Sequence, residues 1–84
     1  MRAQDVLADG VDQIEFGGVT VRKGSVGAFL ANAAFLRRPE ITGAARDVVL
    51  RDIFDALPAL RAIGLFEVFE IRDPQLRAFV AASL

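Results

Sequence analysis

Paired carboxylates are the side chains whose spacing in this sequence could support chemistry. Asp52 and Asp55 are three residues apart, and Glu67 and Glu70 repeat that spacing. Two acids that share a pocket can transfer protons or hold Mg²⁺. Asp52 and Asp55, however, fall on the side of their predicted helix that faces away from its apolar stripe. Glu67 and Glu70 point to opposite faces of a regular strand, so we expect solvated acids and no catalytic residues.

Histidine, cysteine and tyrosine are absent from the 84 residues. The commonest general bases and nucleophiles are therefore missing, as are the usual ligands of zinc and copper. Ser25 and Ser83 have no imidazole to activate them, and Ser25 is predicted to cap a helix. The single lysine, Lys23, is expected to be an exposed charge opposite Asp12. The composition predicts a protein that is not an enzyme and uses no metal or cofactor.

One turn could bind a small anion. Arg22 and Lys23 are followed by Gly24 and Ser25 at the start of a predicted helix. Two cations and the free N–H groups of a helix start can hold phosphate or carboxylate. The turn lacks the glycine spacing of a phosphate-binding loop. Binding of an anion or nucleotide at Arg22, Lys23, Gly24 and Ser25 is therefore an alternative hypothesis for the function.

The elements that position these residues begin with a short helical turn over 3–9, anchored by Val6 and Leu7 and stopped by Gly10. A β-hairpin then spans 11–22, because two alternating apolar runs flank Gly17-Gly18, the residues that a two-residue primed turn needs. The predicted register pairs Phe16 with Val19 and Ile14 with Val21, all on one face, with Asp12 opposite Lys23.

The segment 24–36 carries no charge and predicts a helix that is buried on more than one side. One apolar stripe at helical spacing comprises Val26, Phe29, Leu30, Ala33 and Leu36. A second face comprises Ala28, Ala31 and Phe35. We expect the second face to be covered by the sheet, by another helix or by a second copy of the protein.

A second helix is expected from Thr42 or Gly43 to about Leu57, with Pro58 kinking it or restarting a short helix through Ile63. Its predicted buried stripe is Val49, Leu50, Ile53, Phe54 and Leu57. The segment 65–72 favours a strand by composition, although its apolar residues do not alternate cleanly and a helix is the alternative. Asp73-Pro74 then indicates a last helix, with Leu76, Phe79 and Val80 on its apolar face.

Together these elements predict one compact α+β domain over 1–84. We expect a three-stranded, mainly antiparallel sheet, made of the hairpin and one later strand, against a single layer of three to four helices. Chain length leaves no room for a second core.

The formal net charge of −1 argues against general nucleic-acid binding, and no apolar run is long enough to span a membrane. Nine of the ten basic residues are arginine and alanine is abundant, which suggests a bacterial, high-GC coding sequence. A cytoplasmic location is expected. The favoured function is a small interaction module that forms a homodimer or binds a protein partner through Ala28, Ala31 and Phe35.

Overall fold

The computed structural model describes residues 12–83, so the helical turn predicted over 3–9 lies outside the described residues. The α+β class is confirmed, with a two-stranded antiparallel sheet and four helices in this part of the chain. The elements are β1 Gln13–Phe16, β2 Val19–Arg22, α1 Ser25–Leu36, α2 Gly43–Ala62, α3 Leu65–Val68 and α4 Pro74–Ala82.

The β-hairpin has the predicted register. Phe16 pairs with Val19 and Ile14 with Val21, and the Lys23 amide donates to the Asp12 carbonyl at 2.6 Å. Gly17 and Gly18 have φ values of 54° and 81°, which fit the primed turn that matches strand twist. Strand β2 packs against α2 and buries Val21.

Helix α1 begins one residue earlier than a Ser25 cap requires. Gly24 is the N-cap, in the left-handed region with φ 89°, and Ser25 is the first helical residue. The Ser25 hydroxyl donates to the Arg22 carbonyl at 2.8 Å, so it caps no helix N–H. The prediction of Ser25 as N-cap is wrong because glycine takes the sharp turn out of the hairpin without strain.

Helix α2 is the centre of the fold and continues to Ala62. Pro58 neither ends it nor restarts it. A proline removes one helical hydrogen bond, here to the Phe54 carbonyl. Both Pro58 and Phe54 are exposed, so water can reach that carbonyl. Four α2 side chains, together with one from α1 and two from α4, form the buried core, which consists of Phe29, Val49, Ile53, Leu57, Leu60, Leu76 and Val80.

Two predicted core positions are exposed. Phe54 follows Ile53 by one residue and therefore lies about 100° around the helix from it; its side chain is 52% exposed. Leu30 stands in the same relation to Phe29 and is 61% exposed. Each predicted stripe is wider than the face that the neighbouring helix covers, so both predictions of burial are wrong.

The predicted third strand is also wrong. Leu65–Val68 forms one helical turn, α3, and the chain then runs without regular structure to α4. Gly64, in the left-handed conformation with φ 80°, changes the direction of the backbone between α2 and α3. Leu65 and Phe66 both pack against the core although they are adjacent, which a helical turn allows and a regular strand does not. Asp73 caps α4 as predicted, accepting from the amides of Gln75 and Leu76.

Candidate functional site

An open groove of about 680 Å³ lies between α1 and the chain from Leu65 to Phe79. We call it the apolar groove. Its apolar lining consists of Val26, Phe29, Leu30, Ala33, Ala34, Leu36, Leu50, Leu65, Phe66, Phe69, Ile71, Leu76 and Phe79. Its polar lining consists of Arg37, Arg46, Glu70, Arg72, Asp73 and Gln75. A largely apolar concave surface with a few polar groups is typical of a binding site.

Side chains from both sides of the apolar groove combine buried and exposed aromatic and aliphatic groups. The Phe29 ring of α1 meets the Phe66 ring edge to face, with centroids 5.8 Å apart. Leu30, the next residue of α1, is largely exposed, and Phe69 on the opposite side is 65% exposed. Large apolar side chains in water at a concave surface mark an interaction site more strongly than scattered ones do.

The charged side chains that line the apolar groove differ in whether they have a hydrogen-bond or ion-pair partner. Glu70 accepts from Arg77 at 3.3 Å in an exposed ion pair. The Asp73 carboxylate accepts the two amides at the start of α4, at 2.9 and 3.1 Å. Within residues 12–83, no carboxylate lies within 4.0 Å of the guanidinium of Arg37, Arg46 or Arg72. The groove therefore carries three arginines that form no ion pair with an acid of the described residues.

The turn predicted to bind an anion lies elsewhere, at the open end of the hairpin. A smaller cleft there is lined by Asp12, Gln13, Arg22 and Lys23. The Asp12 carboxylate shares that cleft and opposes an anion. The Ser25 hydroxyl is already used by the Arg22 carbonyl. Anion binding at Arg22, Lys23, Gly24 and Ser25 stays a prediction.

The second face of α1 is accessible to solvent. Ala28 and Ala31 are exposed and Phe35 is 37% exposed. The Arg38 guanidinium lies 4.8 Å from the Phe35 ring centroid, a cation–π contact that partly covers the ring. Part of the cover expected for Phe35 thus comes from the same chain. Self-association through Ala28, Ala31 and Phe35 stays a prediction.

The carboxylate pairs are placed as solvated groups. Asp52 and Asp55 are exposed on α2. Glu67 in α3 and Glu70 just after α3 are exposed as well. Among the described residues, no three acidic side chains group closely enough to hold a metal ion. Glu70 lines the apolar groove and Glu67, Asp52 and Asp55 do not, so neither pair meets there.

Sequence reasoning missed most of the apolar groove. The sequence pattern predicts a strand for Phe66 and Phe69, and it predicts core positions in helices for Leu30 and Leu50. The available signal was the failure of 65–72 to alternate, since adjacent apolar residues there cannot all face one side of a strand. Arg72 gave no signal, because an isolated arginine is typical of a solvated surface.

No helix within residues 12–83 has the length and apolar character to cross a membrane. Comparison of the chain with protein-family models, with curated proteins and with solved structures finds no match.

Proposed function

We propose that this chain is a non-enzymatic interaction module whose apolar groove receives the apolar face of a helix from a protein partner. The observation that carries the proposal is the exposure of Leu30 and Phe69 on opposite sides of the groove. Their apolar surface is in water in the free chain and would leave it when a partner side chain fills the space between them. Removal of apolar surface from water is the main source of affinity at such sites.

The dimensions of the groove fit a helix. The α1 residues that line it run from Val26 to Arg37. The eleven residue-to-residue rises between them span about 16 Å, which equals about three helical turns. Apolar anchors at i, i+4 and i+7 of a partner helix span about 10 Å, which is less than that length. The groove is therefore long enough for two or three anchors of one helical face.

The apolar lining of the groove fits a partner that binds by burying its own apolar side chains. Apart from its charged and amide groups, the lining consists of alkyl and phenyl groups, which bind by excluding water. Each anchor leucine that becomes buried contributes about 1.5–3 kcal/mol before the cost of association. Two or three anchors contribute about 3–9 kcal/mol in total before that cost, so we expect an affinity weaker than micromolar.

Binding of a synthetic helix tests this function. The probe is a peptide of about 14 residues with three leucines at i, i+4 and i+7 and glutamine at its other exposed positions. We expect saturable shifts of backbone amides along α1 and residues 65–79 in nitrogen-15 spectra of the full chain. Amide shifts confined to the hairpin, or no saturable shift at millimolar peptide, would contradict the proposal.

A matched pair of variants locates the binding surface. Leu30→Glu places a charge in the groove, at a position that is 61% exposed. Val48→Glu places the same charge on α2 outside the groove, at a position that is 59% exposed. Glutamate is a good helix former, so both variants should fold. Leu30→Glu should weaken peptide binding by about tenfold or more, because a buried charge opposes apolar contact. Val48→Glu should leave the affinity unchanged; equal loss in both variants would mean that the groove is not the site.

A further inference from the structure

The three arginines of the apolar groove, which form no ion pair with an acid of residues 12–83, belong to three different parts of the fold. Arg37 is the C-cap of α1, Arg46 lies in the first turns of α2 and Arg72 precedes α4. All three line the groove. Arg37 and Arg72 are exposed and Arg46 is half-buried, so their guanidinium groups are available to a bound partner.

Two acids, Glu70 and Asp73, share the groove lining with the three arginines, so its formal charges are three positive and two negative. The Glu70 carboxylate is held by Arg77, and the Asp73 carboxylate is held by the amides of Gln75 and Leu76. A bound helix therefore meets an apolar surface beside a local excess of positive charge. The net charge of the whole chain is −1, so this excess is a property of the groove and not of the protein as a whole.

We infer that the partner helix is acidic, with Asp or Glu residues flanking its apolar stripe. The inference rests on the proposed function, since it names the chemistry of the helix that the apolar groove receives. Carboxylates beside the stripe would pair with Arg37, Arg46 and Arg72 at the groove edge while the apolar anchors enter it. Complementary charge of this kind sets orientation and speeds association, and like charge excludes wrong partners.

The charge also argues against a second copy of α1 as the occupant. The second face of α1 carries Ala28, Ala31 and Phe35 at helical spacing. That face ends at Arg37 and Arg38. A second copy would therefore bring further cations to a groove that already holds three, and like charges at an interface oppose binding.

Three synthetic helices test the inference on the full chain. They share the leucine stripe and differ at the flanking positions, which are glutamate, glutamine or lysine. At low ionic strength, calorimetric titration should show the glutamate peptide binding about tenfold more tightly than the lysine peptide, with the glutamine peptide between them. The difference should shrink when salt is raised from about 20 mM to about 500 mM, because salt screens exposed charges.

Removal of charge at and away from the groove assigns the effect to particular side chains. The variant Arg46→Gln with Arg72→Gln should lose most of the preference for the glutamate peptide and keep its affinity for the glutamine peptide. The control, Arg22→Gln with Arg51→Gln, removes the same charge from exposed positions outside the groove. It should keep the preference.

The outcomes separate this inference from the proposed function. Equal binding of the three peptides would overturn the acidic partner and leave the helix-binding groove in place. Failure of all three peptides to bind would overturn both. A chain that dimerises by light scattering, and is made monomeric by Leu30→Glu but not by Val48→Glu, would identify a second copy as the occupant and overturn the inference.

Discussion

The Phe29 and Phe66 rings meet edge to face at an interplanar angle of 73°, and this contact joins α1 to the chain that follows α2. Phe29 is buried in the core, and Phe66 packs against that core from the groove side. The pair therefore serves both stability and the shape of the apolar groove. Edge-to-face pairs contribute about 0.5–1.5 kcal/mol beyond the burial of area.

A double-mutant cycle on this pair measures that contribution. Phe29→Leu and Phe66→Leu keep apolar volume, so each variant should fold and lose about 1 kcal/mol of unfolding free energy. The double variant should lose less than the sum by about 0.5–1.5 kcal/mol, because the ring contact is lost only once. Urea unfolding of the four proteins gives the values. Strict additivity would show that the rings contribute no coupling.

Replacement of Asp73 should weaken α4. Its carboxylate accepts from the amides of Gln75 and Leu76 at 2.9 and 3.1 Å. Asp73→Ala leaves both amides without that partner and should cost about 1 kcal/mol, measured by urea unfolding. Asp73→Ser retains an N-cap acceptor and should cost clearly less. Equal losses for the two substitutions would assign the effect to something other than the cap.

The hairpin turn gives a test of backbone conformation free of packing effects. A Cβ on Gly17 or Gly18 would meet no atom within 4 Å. Gly18 has a φ of 81°, a conformation that is unfavourable for L residues. Gly18→Ala should therefore destabilise the hairpin by about 1–2 kcal/mol. Gly17→Asn should be nearly neutral, since asparagine is common at that turn position. Amide protection in β1 and β2 reports both effects.

Arg61 connects the end of α4 to α2. Its guanidinium donates to the carbonyls of Val80 at 3.1 Å and Ser83 at 3.4 Å, where a cation also complements the helix dipole. Arg61→Met keeps the apolar stem and should cost about 1 kcal/mol, with faster amide exchange in α4. Arg51→Met, on the exposed side of α2, is the matched control. Faster exchange in both variants would show that charge alone is responsible.

Self-association through the second face of α1 makes a separate prediction. If Ala28, Ala31 and Phe35 form a dimer interface, the mass from multi-angle light scattering should rise between micromolar and millimolar concentration. Phe35→Glu should then return the chain to monomer, because the dimer would have to bury the new charge. A monomer at every concentration would contradict self-association and leave the helix-binding groove unaffected.

The parts of the fold that depend on neighbouring residues could be predicted from the sequence. The Gly17-Gly18 turn sets the pairing of Ile14 with Val21, and Asp73-Pro74 starts a helix by local chemistry. These features need no information about distant parts of the chain. The class of the fold follows from them and from the helical spacing of apolar residues.

The apolar groove depends on contacts between distant segments and could not be predicted in the same way. Leu30 has the spacing of a core residue, and it is exposed because α2 covers a narrower face of α1 than the sequence pattern suggests. Phe69 lies in a segment whose composition favours a strand. It instead follows the helical turn α3, which begins after Gly64 in the left-handed conformation. Arg46 and Arg72 approach the groove through the path of the chain, which their own positions in the sequence do not reveal.

The buried hairpin residue Val21 has a consequence for how the molecule moves. Val21 does not belong to the contiguous core of Phe29, α2 and α4, although β2 packs against α2. We therefore expect the hairpin to open at a lower free energy than the helical core, which amide exchange would measure. The apolar groove is built on the helical core, so we expect it to keep its shape when the hairpin opens.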